Sequence, residues 1–376
     1  MQNSSPFRLL APALLALQIL FAQPLRAASD PMPPSGQIDM HPETGIVHPR
    51  SDWVVAPIPV SNPSIGSGLA LTAMLLYKLD EKSPASFTGF GAGYTSSGSW
   101  LAGVVEKLYA RADLVRVTAG LGYGVLNYDF FGVGDHADAP PIPLRQTVKG
   151  AVVDGRMRLL EHLHVGVKWR LGDVNTEIRS DMPPPQVVPD DELDVVISSL
   201  GLVASWDTRD RQFAPTRGQF VELTSAFSRK AFGSDLEYET YSLAANAYVS
   251  AWKGDVIAGR VYACQASSSA PFFDTCAFGS GVDLRGYEAG QFRDRFLIAA
   301  QVEYRHGLSS RFDAVGFAGA GAVAGSFSAL KDSELLPDIG VGLRYLAAPR
   351  DGVKVSVDFA WGKSSTGFYV YIGDSF

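Results

Sequence analysis

Charged residues are scarce in this sequence, and no part of it forms a basic block. Of its 376 residues only 19% are charged, with 32 Lys and Arg against 39 Asp and Glu. Soluble helical domains carry more Glu and Lys than this, and a nucleic-acid-binding surface needs clustered positive charge. We therefore expect neither helical domains nor a nucleic-acid partner.

Long apolar runs are also missing beyond the N-terminal region. No later stretch reaches the roughly 18 uninterrupted apolar residues that a membrane-spanning helix requires. The N-terminal region has one early charge, Arg8, and then a mostly apolar run over residues 9–22. This pattern is typical of a secretory signal peptide. We expect residues 1–27 to be removed by cleavage after Ala27, with an uncleaved anchor as the alternative. Residues 28–51, rich in Pro, His and Ser, are expected to form a short flexible periplasmic segment, with a plug-like extension as the alternative.

Motifs that carry enzyme chemistry are absent as well. The sequence contains no Gly-x-Ser-x-Gly elbow, no phosphate-binding loop and no His-Glu-x-x-His zinc motif. We therefore expect no enzyme activity, no cofactor and no metal. Cysteine occurs only at Cys264 and Cys276. In an oxidising compartment such a pair indicates a disulfide, with two free buried thiols as the alternative.

Glycine and aromatic residues are abundant, with 38 Gly and 21 Phe. From Asp52 onward, short runs of alternating polar and apolar residues are separated by turn residues, as in β-strands. Val167–Leu171 and Gln301–Arg305 show this alternation, and side chains two residues apart share one face of a strand. In a membrane barrel the apolar face meets lipid and the polar face lines the lumen.

These runs predict an all-β fold, a 16-stranded antiparallel transmembrane β-barrel that occupies residues 52–376. Long extracellular connections and short periplasmic turns should alternate along it. In lipid every backbone N–H and C=O group needs an internal partner, so the last strand should pair with the first. The predicted strands are 52–61, 65–79, 86–97, 99–111, 114–130, 145–160, 163–178, 194–210, 219–232, 236–252, 255–270, 295–307, 311–324, 337–347, 352–361 and 366–376.

Between the eleventh and twelfth of these strands, residues 281–287 resemble the VRGF/Y loop motif of the BamA/TamA-type superfamily, also called bacterial surface antigens. The resemblance implies a long loop folded into the lumen, where Arg285 meets acidic partners on strands 12 and 13. A guanidinium that enters a lumen loses water and needs a charged bidentate partner. The residues that carry this expected loop lock are Leu284, Arg285, Gly286 and Tyr287 of the loop, with Glu303 and Arg305 of a Glu-x-Arg pattern on strand 12.

One position departs from the pattern of that superfamily, and another departs from the C-terminal signal of outer-membrane proteins in general. On strand 13 the superfamily usually shows Gly-Phe-x-Asp-x-Gly, whereas this chain has Gly319 in place of the Asp. The lock could then rest on Glu303 alone, or on Asp283 within the loop. The final run leads to Phe376, an aromatic of the kind that assembly machinery recognises, but Asp374 stands where such signals often carry an apolar residue.

A second resemblance lies between strands 8 and 9. Residues 207–218 are similar to the D-x-R-D…F-x-P-T-x-G turn of the same superfamily, and Pro and Gly at fixed positions define a turn. We expect the paired Asp and Arg side chains to fasten this turn, rather than to form a binding site. The turn residues are Asp207, Arg209, Asp210, Pro215 and Gly218.

The resemblance implies a location in the bacterial outer membrane, in contact with outer-membrane lipids and lipopolysaccharide. Because only residues 28–51 stand before the expected barrel, the chain looks like a branch without POTRA domains. We expect a monomer that acts in outer-membrane biogenesis or in protein translocation and insertion, with a client or partner outer-membrane protein. A passive structural barrel, a surface antigen or a pore is the alternative.

The expected mechanism is an opening of the seam between strands 1 and 16. Pro57, Pro59 and Pro63 lie in or beside strand 1. Proline has no backbone N–H and therefore removes hydrogen-bond donors from a strand. These prolines are consistent with a weak seam, and they could equally mark the start of a strand.

Overall fold

A computed structural model describes residues 52–62, 65–134, 141–180, 188–211, 214–278, 283–288, 290–348, 352–363 and 365–376. The expected signal peptide and the expected periplasmic segment 28–51 lie outside the described residues. Within the described residues, no helix has the length and apolarity needed to cross a membrane.

Sixteen strands form one sheet in which each strand pairs antiparallel with the next along the chain. The predicted fold class and strand number are confirmed. The strands are β1 (Asp52–Asn62), β2 (Gly66–Tyr77), β3 (Ser86–Thr95), β4 (Trp100–Ala110), β5 (Val115–Phe130), β6 (Ile142–Leu160), β7 (Leu163–Ile178), β8 (Asp194–Asp207), β9 (Gly218–Ser228), β10 (Tyr238–Ser250), β11 (Val256–Ala266), β12 (Phe296–Gly307), β13 (Phe312–Ala324), β14 (Leu336–Ala348), β15 (Val353–Trp361) and β16 (Thr366–Ile372).

Side chains alternate between an exposed outer face and a buried inner face. On β12, Val302 and Tyr304 are exposed, whereas Gln301, Glu303 and Arg305 are buried. Apolar side chains therefore point outward and polar ones inward, which is the reverse of a water-soluble sheet protein and the arrangement of a membrane barrel.

The sheet curls into a barrel that is nearly closed. Cα atoms of β1 and β16 approach within 8 Å, but no hydrogen-bonded ladder joins these two strands in the described residues. The expected pairing of the last strand with the first is thus not seen. Pro57 and Pro59 provide one reason. The β1–β2 ladder runs through them unbroken, so their missing donors face the seam. Pro63 lies outside the described residues.

The last strand is also shorter than predicted. The predicted strand 366–376 ends at Ile372. Gly373 adopts a left-handed conformation with φ of +98°, which favours glycine, and the chain then turns inward. Asp374, Ser375 and Phe376 are buried, and Phe376 packs in an apolar cluster with side chains of β10 and β11.

The connection between β11 and β12 carries a second, two-stranded ladder that the sequence did not predict. Cys276–Ala277 pairs with Arg293–Asp294. A disulfide joins Cys276 to Cys264 on β11, with Cα atoms 5.8 Å apart. The connection is thereby fastened to the barrel wall at its start.

Candidate functional site

Residues 283–288 lie against the inner face of the barrel, and their most buried side chains belong to the expected loop lock. Leu284, Arg285 and Tyr287 are fully buried. The Tyr287 hydroxyl donates to the carbonyl oxygen of Pro337 on β14 at 2.5 Å. The backbone N–H of Gly286 donates to the Tyr369 hydroxyl on β16 at 2.8 Å.

Glycine is required at position 286. Its φ is +99°, a conformation that other residues adopt only with strain. A Cβ atom here would lie 2.6 Å from the backbone nitrogen of Gly362, which is closer than non-bonded atoms tolerate. Gly286 therefore lets the segment pass directly against the end of β15.

Arg285 is held by two carboxylates and one aromatic ring. Its guanidinium lies 3.1 Å from the Glu303 carboxylate on β12 and forms a very short ion pair with Asp358 on β15. It also stacks on Phe317 of β13, with 3.3 Å between the guanidinium carbon and the ring centroid. Glu303 was expected from the sequence, whereas Asp358 and Phe317 were not.

Glu303 is shared by three arginines. Besides Arg285, its carboxylate contacts Arg305 at 2.7 Å and Arg344 of β14 at 3.4 Å. The Ser375 hydroxyl donates a further hydrogen bond to it at 2.9 Å. Glu303 is fully buried, with 0% exposure, and an ionised carboxylate at such a site requires partners of this kind.

Two aspartates complete the cluster. Asp358 also pairs with Arg344 and accepts a hydrogen bond from the Tyr371 hydroxyl. Asp374 lies 2.9 Å from Arg305 and 3.5 Å from Arg344. We call the six side chains the charge cluster; they are Arg285, Glu303, Arg305, Arg344, Asp358 and Asp374, so that formal positive and negative charges balance.

Two members of the charge cluster that were not predicted, Arg344 and Asp358, nevertheless show a partial signal in the sequence. Arg344 and Asp358 each stand between apolar neighbours on a strand, Leu343 and Tyr345 in one case and Val357 and Phe359 in the other. Alternation places both on the polar face. Their partners could not be known without the register and the curvature of the sheet.

The position of Asp374 in the structure accounts for its departure from the expected terminal pattern. An apolar residue would suit a side chain that points to lipid, but Asp374 follows the turn at Gly373 and is only 5% exposed inside the barrel. There its carboxylate lies close to Arg305 and Arg344 of the charge cluster.

Gly319 lies directly opposite Asp338 of β14 in the β13–β14 ladder. A Cβ atom at position 319 would collide with the Asp338 carboxylate. Strand β13 lacks the Asp of the superfamily pattern at position 319, and Asp338 on the neighbouring strand β14 places a carboxylate next to that position. Asp338 is buried, and its two carboxylate oxygens have no hydrogen-bond partner in the part of the chain that the structure describes.

Asp283, the other partner considered for Arg285, pairs with a different arginine. Its carboxylate lies 2.6 Å from Arg260 on β11. Arg260 also donates to the side-chain oxygen of Asn246 at 3.0 Å. The loop segment is therefore fastened on both sides, to β11 through Asp283 and to β12 and β15 through Arg285.

The turn between β8 and β9 is fastened by its own side chains. Arg209 donates to Asp207 at 2.7 Å and lies over the ring of Phe220, 4.3 Å from its centroid. Gly218 has a φ of +99°. Phe213, part of the expected motif, lies outside the described residues. The predicted β8 strand is three residues too long at its end, because Asp207 is its last residue.

Asp210 and Pro215 have distinct roles in this turn. Asp210 accepts hydrogen bonds from the backbone N–H of Thr216 at 2.9 Å and from its hydroxyl at 2.6 Å. Burial opposes ionisation of Asp210, but these hydrogen bonds outweigh burial and lower its pKa. The Pro215 carbonyl accepts a hydrogen bond from Arg305 at 3.4 Å, so the turn touches the charge cluster.

The start of the β11–β12 connection reaches the opposite wall. Asp274 pairs with Arg170 on β7, with one N–O distance of 3.0 Å, and accepts a hydrogen bond from the Tyr238 hydroxyl at 2.6 Å. Phe272 and Phe273 are buried in an apolar cluster with residues of β5–β8 and β10.

Comparisons with known proteins agree with this architecture. Residues 147–376 match the Omp85 superfamily domain. No curated protein is similar to the chain in sequence. Among solved structures, a Haemophilus ducreyi BamA lacking POTRA domains 1–3 matches with a TM-score of 0.56 and 13% identity, over 86% of this chain and 70% of that one.

Two CdiB structures match over a similar range. CdiB from Escherichia coli has a TM-score of 0.60 and 10% identity, and CdiB from Acinetobacter baumannii has a TM-score of 0.58 and 10% identity. The matches cover 86% and 85% of this chain, but only 62% and 59% of the respective CdiB chains. At such identities the likeness concerns the barrel fold alone.

Proposed function

This chain belongs to the Omp85 superfamily, and we propose that it works in the bacterial outer membrane by inserting or translocating a partner protein. Members of the superfamily are non-enzymatic outer-membrane transporters or insertases. We further propose that the barrel is a monomer surrounded by outer-membrane lipids and lipopolysaccharide. The observation that carries the proposal is that no hydrogen-bonded ladder joins β1 to β16 in the described residues.

In this proposal the segment around Arg285 is a loop lock inside the lumen. Glu303 belongs to β12 and Asp358 to β15, so one guanidinium connects the loop to two non-adjacent strands. Phe317 on β13 lies between them and stacks on the same guanidinium. The loop therefore stiffens the wall formed by β12–β15, and movement of the barrel is left to the remaining wall and the seam.

The seam between β1 and β16 is the proposed site of opening. It has no ladder in the described residues, Pro57 and Pro59 remove donors from its β1 side, and β16 spans only Thr366–Ile372 against Asp52–Asn62 for β1. Part of the β1 edge therefore has no strand opposite it. An unpaired strand edge is a template for adding another strand, which is what an incoming barrel protein offers.

A disulfide across the seam tests the proposal. A cysteine at Val55 is combined in turn with a cysteine at Phe368 or Val370, and the protein is reconstituted in liposomes that receive a radiolabelled outer-membrane barrel. Oxidation should stop insertion, and reduction should restore it. The matched control V55C/A73C ties β1 to its paired neighbour β2 and passes through the same redox treatment, which also reaches the native disulfide.

A passive structural barrel is the second candidate, and the balanced charge cluster favours it. Six buried, mutually paired charges rigidify the wall around them, as a structural protein would require. If both seam-tied and untied proteins leave insertion at the level of empty liposomes, the passive barrel is the better description. Ion conductance in planar bilayers separates a pore from a sealed barrel.

A further inference from the structure

One carboxylate stands among apolar side chains on the outer face of β2–β4. On β4, Leu101 and Tyr109 are buried and point inward, so Glu106 points outward by alternation. Its neighbours on that face of the same strand are Val104 and Leu108. An ionisable residue on a membrane-facing surface is costly and indicates a functional site.

The carboxylate of Glu106 is oriented by two hydroxyl groups. Thr88 on β3 lies directly opposite it in the β3–β4 ladder and donates to one oxygen at 2.6 Å. Tyr77 on β2 donates a very short hydrogen bond to the other oxygen. Each carboxylate oxygen can accept about two hydrogen bonds, so both retain acceptor capacity.

No cationic side chain neutralises Glu106 within the residues that the structure covers. The contrast is Asp173, an outward-facing carboxylate near the other end of the barrel, which pairs with Lys149 at 2.8 Å. Glu106 therefore carries a negative charge at the outer face that this chain's described residues orient but do not pair.

The depth of Glu106 places it near one edge of the apolar belt. Tyr77 is the last residue of β2, and Thr88 is close to the start of β3. Glu106 stands four residues before the end of β4, roughly 13 Å along the strand. The connections at this end carry exposed charged residues of both signs, among them Lys78, Glu81 and Arg111. If both ends of the barrel are periplasmic, the β2–β3 and β4–β5 connections are periplasmic turns, and this is the periplasmic edge.

We propose that Tyr77, Thr88 and Glu106 form a site for the primary ammonium group of an aminophospholipid in the periplasmic leaflet. An ammonium group offers three donors and carries a charge opposite to that of Glu106. The inference rests on the membrane location in the proposed function and on this orientation, but not on insertase activity.

The full chain is reconstituted in vesicles of phosphatidylethanolamine and phosphatidylglycerol, and in vesicles where phosphatidylcholine replaces the phosphatidylethanolamine. The trimethylammonium group of phosphatidylcholine carries charge but has no N–H donor. Native mass spectrometry of protein released from mixed vesicles should show about a tenfold preference for phosphatidylethanolamine, the size expected for one charge-assisted hydrogen bond. The thermal unfolding temperature should be higher in the vesicles that contain phosphatidylethanolamine than in those that contain phosphatidylcholine in its place.

The variant E106Q should lose this preference, and D173N is the matched control because it neutralises an outward carboxylate that is already paired. If E106Q keeps the preference, or if D173N loses it equally, the inference is wrong. Should E106Q fail to fold, T88V with Y77F keeps the charge and removes its orienting donors, and it must weaken the preference. If the protein shows the lipid preference but inserts no client, the proposed insertase function is wrong and the inferred lipid site still holds.

Discussion

Replacing Arg285 and Glu303 separately and together gives the most direct test of the charge cluster. Removing one partner of a buried ion pair costs about 3–5 kcal/mol. In R285A, Glu303 keeps Arg305 and Arg344, and positive charge falls by one. We therefore expect R285A to lower the free energy of unfolding by about 3 kcal/mol, near the low end of that range.

E303Q should be more damaging than R285A, at about 5 kcal/mol. Glu303 is the carboxylate that three guanidinium groups share, so its neutralisation leaves three buried positive charges against two negative ones. In the double variant R285A/E303Q the numbers of positive and negative charges are equal again. Its cost should then fall below the sum of the single variants by about 2–3 kcal/mol, the upper range for residues in contact.

Urea unfolding of the barrel in lipid vesicles, followed by tryptophan fluorescence, measures these costs. Limited proteolysis reports in parallel whether residues 283–288 become accessible. The matched control is K149A, which breaks an ion pair whose lysine side chain is 45% exposed, and should cost less than about 1 kcal/mol. Additive single variants, or a K149A cost equal to that of R285A, would refute the shared-carboxylate reasoning.

Three other outcomes test neighbouring features. G319D alone should lower the thermal unfolding temperature because a side chain there meets the Asp338 carboxylate, whereas G319D with D338G should recover most of the loss in the same assay. Reducing the Cys264–Cys276 bridge should expose the adjoining connection to protease and cost at most roughly 3 kcal/mol, while strand content by circular dichroism stays unchanged. Asp210 has a lowered pKa because hydrogen bonds outweigh burial. Its ionised carboxylate should therefore stabilise the folded barrel fully above the usual pKa of about 4, and this stabilisation should be lost as the pH falls through the lower pKa of the folded state. D210N should remove this part of the pH dependence of the free energy of unfolding.

The strands could be predicted from the sequence because alternation is a local property. Val167–Leu171 and Gln301–Arg305 lie within β7 and β12, and one residue of error would have exchanged their inner and outer faces. The last strand was predicted too long, since Gly373 and Asp374 interrupt an apolar run without ending it by any strong local signal. The turn inward is stabilised by distant residues, Arg305 and Arg344.

The site residues show the same difference between local sequence signals, which can be recognised, and contacts between distant residues, which cannot. Arg285 and Glu303 were found through a motif, because the superfamily carries them at recognisable spacing. Asp358 contributes to the same contact from a strand 73 residues further along the chain, and nothing in its immediate sequence distinguishes it from a lumen residue exposed to water. Pairing of this kind depends on sheet curvature and on the path of the loop, which only the assembled barrel defines.

The charge cluster draws together three parts of the chain that are distant in sequence: the β11–β12 connection, the barrel wall and the segment after β16. Arg285 belongs to the first, Glu303 and Arg344 to the second and Asp374 to the third. Low dielectric makes each buried charge costly if its partner leaves. Withdrawal of the loop or release of the final segment would therefore weaken the contacts of the other. Any opening of the seam at β16 is coupled in this way to the seating of the loop.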